Sequence, residues 1–207
     1  MRIVKEAEER KNEILDVAER LFGAKGFDNT STNDILKEIG IARGTLYYHF
    51  KSKEDILDAV IDRMTGQMLI KAKALQNRKE IPVLQRLTLM ITALHVSGGF
   101  GEELMSQIHK PQNALLHQKM QERLSAEMNP LLTALIEEGI SQGICQTDYP
   151  AQTVEMTFLY ANIVFDDLMA YGEEERKKKI EAFIYNLERL LKMEEGSMRE
   201  VVLPLFE

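Results

Sequence analysis

The chain has 207 residues, 44% of them hydrophobic and 29% charged, a balance that excludes a disordered or fibrous protein. It is long enough to bury a core, its single cysteine (Cys145) excludes an internal disulfide framework, and its longest uncharged run, Leu87 to Gly101, is too short to span a bilayer. The net charge of −7 is uneven: residues 1–53 carry ten Lys/Arg against nine Asp/Glu, and residues 54–207 carry 16 against 24, so a small DNA-reading segment is compatible with an acidic whole.

Apolar residues recur at helical spacing along most of the chain. Ile14, Leu15, Ala18, Leu21 and Phe22 form the first stripe, and Gly26 is placed to stop that helix. Thr30-Ser31-Thr32 then offers N-cap hydroxyls, and Ser31 with Asp34 has the spacing of a capping box, with Asp in place of Glu. A short helix through Ile35, Leu36 and Ile39 ends at Gly40, and another covers about 43–49. Ser52 with Asp55 is a second N-cap signal, opening a helix from Lys53 to about Asn77 with Ile56, Leu57, Val60, Ile61, Met64 and Met68 as its buried stripe. Further helices are expected over about 82–97, 101–109, 112–142, 151–171 and 174–193. No run alternates with period two between turn residues, so no sheet is expected. The expected fold is all-α, about nine helices, with a three-helix head at residues 1–53, a connecting helix over 53–77 and a larger bundle over 78–207.

The most informative stretch is Ser31 to Lys53, STNDILKEIGIARGTLYYHFKSK. Two short helices joined by a turn at Gly40-Ile41-Ala42 have the form of a helix-turn-helix. Ile35, Ile39, Ile41, Leu46 and Phe50 supply a small core with the first stripe. Arg43, Thr45, Tyr47, Tyr48 and His49 then fall on the outer side of the second helix. A helix fits the major groove and its first residues reach base edges. Hydroxyls, an imidazole and flanking lysines suit phosphates. Paired half-sites are the usual remedy for the few base pairs one short helix reads, so a two-fold dimer is expected.

The run Gly44-Thr45-Leu46-Tyr47-Tyr48-His49-Phe50-Lys51-Ser52-Lys53-Glu54-Asp55 resembles the DNA-binding signature of the TetR/AcrR family of bacterial transcriptional regulators. Ala18, Leu21, Phe22, Gly26, Phe27 and the Thr30-Ser31-Thr32 entry extend the likeness over the first quarter of the chain. The resemblance implies base contacts by Arg43, Gly44, Thr45 and Tyr47, and phosphate contacts by Thr32, Tyr48, His49 and Lys53. One departure is Ala42, which stands where many members carry a capping Ser or Thr. The resemblance also implies a homodimer formed by the last two long helices, with Phe158, Phe165, Phe183, Ile184, Leu187 and Leu191 as interface candidates. Finally it implies a cavity for a small apolar ligand in the larger domain. Candidates there are Met64, Met68, Met90, Met105 and Met120, whose flexible thioethers suit adaptable apolar sites. His95, Phe100, His109, Tyr160 and Asn162 accompany them, beside a hinge at Ser97–Gly101.

The implied function is a cytoplasmic repressor, released from a pseudo-palindromic operator by a small molecule. The alternative is an architectural or division-control DNA-binding protein on the same scaffold with no effector. No cofactor is expected, and no metal. His109 and His117 lie eight apart, about 12 Å on a continuous helix, and Pro111 stands between them. No enzyme is expected either. Gly139-Ile140-Ser141-Gln142-Gly143 matches G-x-S-x-G, but a nucleophile elbow needs a preceding strand and here a helical stripe precedes it.

Overall fold

The computed structural model describes residues 7–94, 108–165 and 171–206. Among these residues there are nine α-helices and no strand: α1 (Ala7–Lys25), α2 (Thr32–Ile39), α3 (Arg43–His49), α4 (Lys53–Gln76), α5 (Val83–Thr92), α6 (Ala114–Ser141), α7 (Pro150–Val164), α8 (Glu173–Leu190) and α9 (Arg199–Val202). Short 3-10 turns stand at Pro111–Asn113 and Leu203–Leu205. The all-helical class expected from periodicity is the class observed. No described helix is long and apolar enough to cross a membrane. The chain forms two compact units, Met1–Gln67 with Val96–Arg123, and Met68–His95 with Leu124–Glu207.

In the first unit the predicted stripes are the core. Ile14, Leu15, Ala18, Leu21 and Phe22 of α1 are buried, as are Ile35 of α2, Leu46 and Phe50 at α3, and Ile56, Leu57, Val60, Ile61 and Met64 of α4. Ile39 and Ile41 are only half-buried. Ion pairs surround this core: Arg63 meets Asp16 and Glu19 at 2.7 Å each, and Arg20 meets Glu38 at 2.5 Å. Lys119 of α6 reaches Asp58 of α4 at 2.6 Å. Gly26 has a left-handed backbone (φ 84°), and a Cβ there would lie 2.5 Å from the Gln112 carbonyl oxygen. Glycine is thus required twice, by the turn and by the close approach of the Pro111–Asn113 segment. Asn113 Nδ2 donates to Gly23 O at 3.2 Å in the same place.

The second unit is a bundle around Leu69, Leu87, Met90, Met128, Leu132, Leu135, Val154, Phe158, Ile184 and Leu191, closed by Met198, Val201 and Val202. The apolar tail therefore packs on its own unit. The buried carboxylate of Glu188 accepts from Met198 N at 2.9 Å, at the start of α9.

Several boundaries differ from expectation. Helix α5 ends at Thr92, followed by a turn at Ala93 and Leu94. The helix expected over 101–109 and the hinge at 97–101 lie outside the described residues, apart from a turn at 108–109. The segment expected to open a helix at 112 is a 3-10 turn, and α6 starts two residues later. Pro130 sits inside α6 without ending it. Helix α7 ends at Val164 because Phe165 turns into an aromatic cluster with Tyr160, Phe183 and Phe206. Helix α8 ends at Leu190 because Lys192 is left-handed (φ 49°) and Met193 N bonds back to Glu188 O at 2.9 Å. No glycine announces that stop.

Arg86 of α5 is fully buried. It donates to Gln76 O at 2.9 Å, to Ile81 O at 3.0 Å, and to the Glu138 carboxylate of α6. Lys79 also reaches Glu138, at 2.5 Å. One guanidinium thus satisfies the end of α4, the following loop and a carboxylate. The hydrogen bonds from Arg86 and then Lys79 hold the Glu138 carboxyl below its ordinary value of 4.5. This contribution to stability is whole above that pH and is lost as the pH falls through the lower folded-state value. Glu138→Gln leaves the buried Arg86 uncompensated and is expected to lower unfolding free energy by about 3 kcal/mol at neutral pH. Urea melts at pH 7 check this, and the gap between the two proteins narrows in acid.

Candidate nucleic-acid interface

The α2-turn-α3 segment is built by local hydrogen bonding. Ser31 Oγ accepts from Asp34 N at 3.2 Å, and Ser31 N donates to Asp34 Oδ2 at 2.8 Å, completing the predicted capping box. The Ser31 hydroxyl also donates to Asp34 Oδ2 at 2.6 Å, and this bond, followed by the one from Ser31 N, holds the Asp34 carboxyl below its ordinary value. Gly40 closes α2 in the left-handed conformation (φ 73°), its N–H bonded to Leu36 O. Ala42 has the extended backbone of an N-cap, but no side chain caps α3. The chain then turns at Phe50, and α4 opens with the second expected cap: Asp55 N donates to Ser52 Oγ at 3.0 Å, and Lys51 N to Asp55 Oδ2 at 2.9 Å.

This architecture places the candidate DNA residues as follows. Arg43 and Gly44 are exposed in the first turn of α3, and Thr32 and Thr45 are half-buried. Tyr47 is exposed, Tyr48 is 79% exposed, and His49 is half-buried with its ring edge-on to Tyr48 at 5.0 Å. The space where a Gly44 side chain would stand is open. The fold therefore does not need glycine there, and the bare backbone is available to a surface outside the protein. Arg43 Nη2 donates to Asn33 Oδ1 of α2 at 3.1 Å, a partner that no sequence spacing announced. Lys53 is turned inward: its ammonium donates to Phe27 O at 2.8 Å and lies 4.0 Å over the Phe27 ring.

The ligand candidates are divided between the units. In the first, Met64 and Met120 are buried, and His109 is exposed with its ring against His117. In the second, Met68 and Met90 are core residues, Tyr160 stacks on Phe183 at 5.7 Å, and Asn162 is half-buried. His95, Phe100 and Met105 lie outside the described residues. A groove of about 380 Å³ runs along α6 and α7, lined by Asn129, Pro130, Thr133, Ala134, Glu137, Ala151 and Glu155, none of them an expected ligand residue.

Of the dimer candidates, Phe158, Ile184 and Leu191 are buried in their own unit, and Phe165, Phe183 and Leu187 are half-buried. The apolar side chains that α7 leaves exposed are Met156, Leu159, Tyr160 and Ile163. Periodicity alone does not say which side of α7 its own unit covers, because the helix is apolar on two sides. Ser141 is a helix-end residue: its hydroxyl donates to Glu138 O at 2.7 Å, and Gly143 beyond it is left-handed.

A capped helix, a glycine turn and a short second helix with an exposed polar first turn define a helix-turn-helix DNA-binding protein. Comparison with known proteins narrows the class. Residues 14–60 match the profile of bacterial regulatory proteins of the tetR family, and residues 100–185 match the tetracyclin repressor-like C-terminal domain. A fatty acid metabolism regulator protein of Bacillus subtilis is 29% identical over 135 residues, 63% of this chain and 68% of that protein. An HTH-type transcriptional regulator of Staphylococcus aureus is 48% identical over 59 residues, 28% of this chain and 32% of its own length. Among solved structures, the fatty acid degradation regulator FadR from Bacillus halodurans superposes with a TM-score of 0.61 at 21% identity, covering 95% of this chain and 99% of that one. The chain belongs to the TetR family of DNA-binding transcriptional regulators.

The uncapped start of α3 generates a prediction. Ala42→Ser supplies the missing acceptor to a residue already in cap geometry. It is expected to stabilise the chain by about 1 kcal/mol, raising Tm by about 2–4 °C for a chain of this size in a calorimetric scan.

Proposed function

We propose that this regulator is a homodimeric repressor that two α3 helices seat in successive major grooves of a pseudo-palindromic operator. The observation that carries the reading is the first turn of α3, where Arg43 and Gly44 stand exposed beside Asn33. Arg43 reads a guanine, the commonest specific pairing. Gly44 lets the backbone approach the base edges, Thr45 and Tyr47 extend the base contacts, and Thr32, Tyr48, His49 and Lys53 hold phosphates. Lys53 leaves Phe27 for the DNA backbone as it does so.

The exposed row Met156, Leu159, Tyr160 and Ile163 supports pairing through α7 and α8. It is spaced i, i+3, i+4 and i+7 along α7, with Ile163 61% exposed. An apolar strip of that kind is favourable to cover. Release follows if an effector favours a conformation whose two α3 helices no longer match the half-sites. The names of the Bacillus relative and of the superposed structure support an effector carrying an apolar acyl chain.

Selection of bound sequences from random duplex DNA at low salt tests the DNA reading. A palindromic winner is expected from the parent chain. Arg43→Ala is expected to lose about 1–3 kcal/mol of discrimination at one base pair of each half-site. Equal enrichment by the variant, or none by the parent where phosphate contacts are strongest, would sink it. A long-chain fatty acid added to the selected operator complex is expected to release the DNA. No mutual effect between the two ligands would leave the architectural alternative.

The dimer is tested separately. Leu159→Glu combined with Ile163→Glu changes only exposed positions. Sedimentation velocity is expected to show a dimer for the parent and a folded monomer for the double variant.

A further inference from the structure

The start of α2 is capped by Ser31 and Asp34, which bond to each other. Asn33, at the second position of the same helix, takes no part in that box. An asparagine at a helix start commonly bonds to nearby backbone. The side chain of Asn33 does not. Its one partner among the described residues is the Arg43 guanidinium, ten residues on across the glycine turn, with Nη2 donating to Oδ1 at 3.1 Å. Both residues are exposed, each in the first turn of its helix. Arginine has no acceptor, so the amide oxygen must face it and the Nδ2 group, with its two N–H, is turned away.

The partner is also neutral. The two carboxylates of α2 are engaged elsewhere, Asp34 by Ser31 and Glu38 by Arg20 at 2.5 Å. Arg43 is therefore held without its charge being cancelled. A guanidinium carries five N–H in a planar fork, and a bidentate contact to guanine uses two of them along one edge. The bond to Asn33 occupies one hydrogen of Nη2. Whichever hydrogen that is, a complete two-donor edge remains, either end-on or side-on. A free arginine gives up rotamer freedom when it docks on a base, and one already tethered gives up less.

We propose that Asn33 is a positioning residue for DNA recognition: it aims Arg43 at its base and so sets how strongly the operator is discriminated at that one base pair. The inference rests on the reading of Arg43 as a base-contacting residue and adds to it a side chain of α2 that acts through Arg43.

The experiment measures dissociation constants of the full-length parent and its variants at one salt concentration. The duplexes are the operator chosen from random DNA and the same operator exchanged, in one half-site, at the base pair where Arg43→Ala loses its preference. Asn33→Ala is expected to lower the parent's preference at that pair about three- to tenfold and to leave the other pairs unchanged. In the Arg43→Ala background it is expected to change nothing further there, since the two residues act as one. Asn33→Asp restores the acceptor and is expected to keep the preference, while its charge, facing the phosphates, weakens binding to every sequence. A misfolded variant loses affinity for all sequences alike and does not single out that pair. If the parent selects no operator, or Arg43→Ala relaxes no base pair, the reading of Arg43 falls and this inference with it. If Arg43→Ala relaxes one pair while Asn33→Ala leaves it intact, relaxes a different pair or adds to the loss in Arg43→Ala, the positioning role alone is overturned. Loss of the preference in Asn33→Asp overturns it too.

Discussion

Helix α3 is seven residues long, less than two helical turns. A helix of that length does not form alone in water, since nucleation costs more than so few bonds return. It also lacks the side-chain cap that would help it. Its existence therefore depends on burial of Leu46 and of Phe50, its C-cap, 1% and 5% exposed. Every other feature of the head serves that burial. The glycines at 26 and 40 turn the chain sharply enough to bring α1 and α2 to the same core, and the Ser31–Asp34 capping box and the Ser52 cap fix where α2 and α4 begin. With its inward side committed to holding the helix, the outward side is free to carry Arg43, Gly44, Tyr47 and Tyr48.

The two units are held by different chemistry. The head relies on apolar burial ringed by ion pairs, of which those of Arg20 with Glu38 and Lys119 with Asp58 are solvent-exposed enough to be worth little alone and weakened by salt, while Arg63 holds the buried Glu19. The bundle has at its edge a charged group with almost no exposure, Arg86, whose donors are shared by two carbonyls and Glu138. Such a group adds little net stability over an apolar substitute, but it is costly to disturb and fixes one arrangement of α4, the following loop, α5 and α6.

The head was almost fully legible in the sequence. Glycines stop α1 and α2, Ser-x-x-Asp signals open α2 and α4, and the stripes are clean, so chemistry and period agree at these boundaries; α3, with Ala42 before it and Phe50 after it, is the exception. Beyond residue 80 the signals weaken for identifiable reasons. Lys192 takes the left-handed conformation in place of a glycine, and Phe165 leaves its helix to join an aromatic cluster; both are tertiary effects. Pro111 was read as an interruption between two distant histidines, whereas the turn it opens is what joins them. Among candidate sites, spacing placed the outward residues of α3 but not the hydrogen bond from Arg43 to Asn33, because pairs ten residues apart across a turn leave no periodic trace.

The order in which the cores close along the chain has a consequence for synthesis. The first unit is complete once Arg123 has left the ribosome, whereas the second draws on Met68 at one end and on Met198, Val201 and Val202 at the other. Its apolar faces on α5 and α6 must wait, uncovered, while the rest of the chain is made. Contacts of such long sequence separation form late and leave sticky surface exposed. The segment that reads DNA is therefore assembled during translation, and the bundle after it. Nascent chains stalled between the two would present a finished DNA-reading head attached to an unfinished bundle, the form most in need of a chaperone.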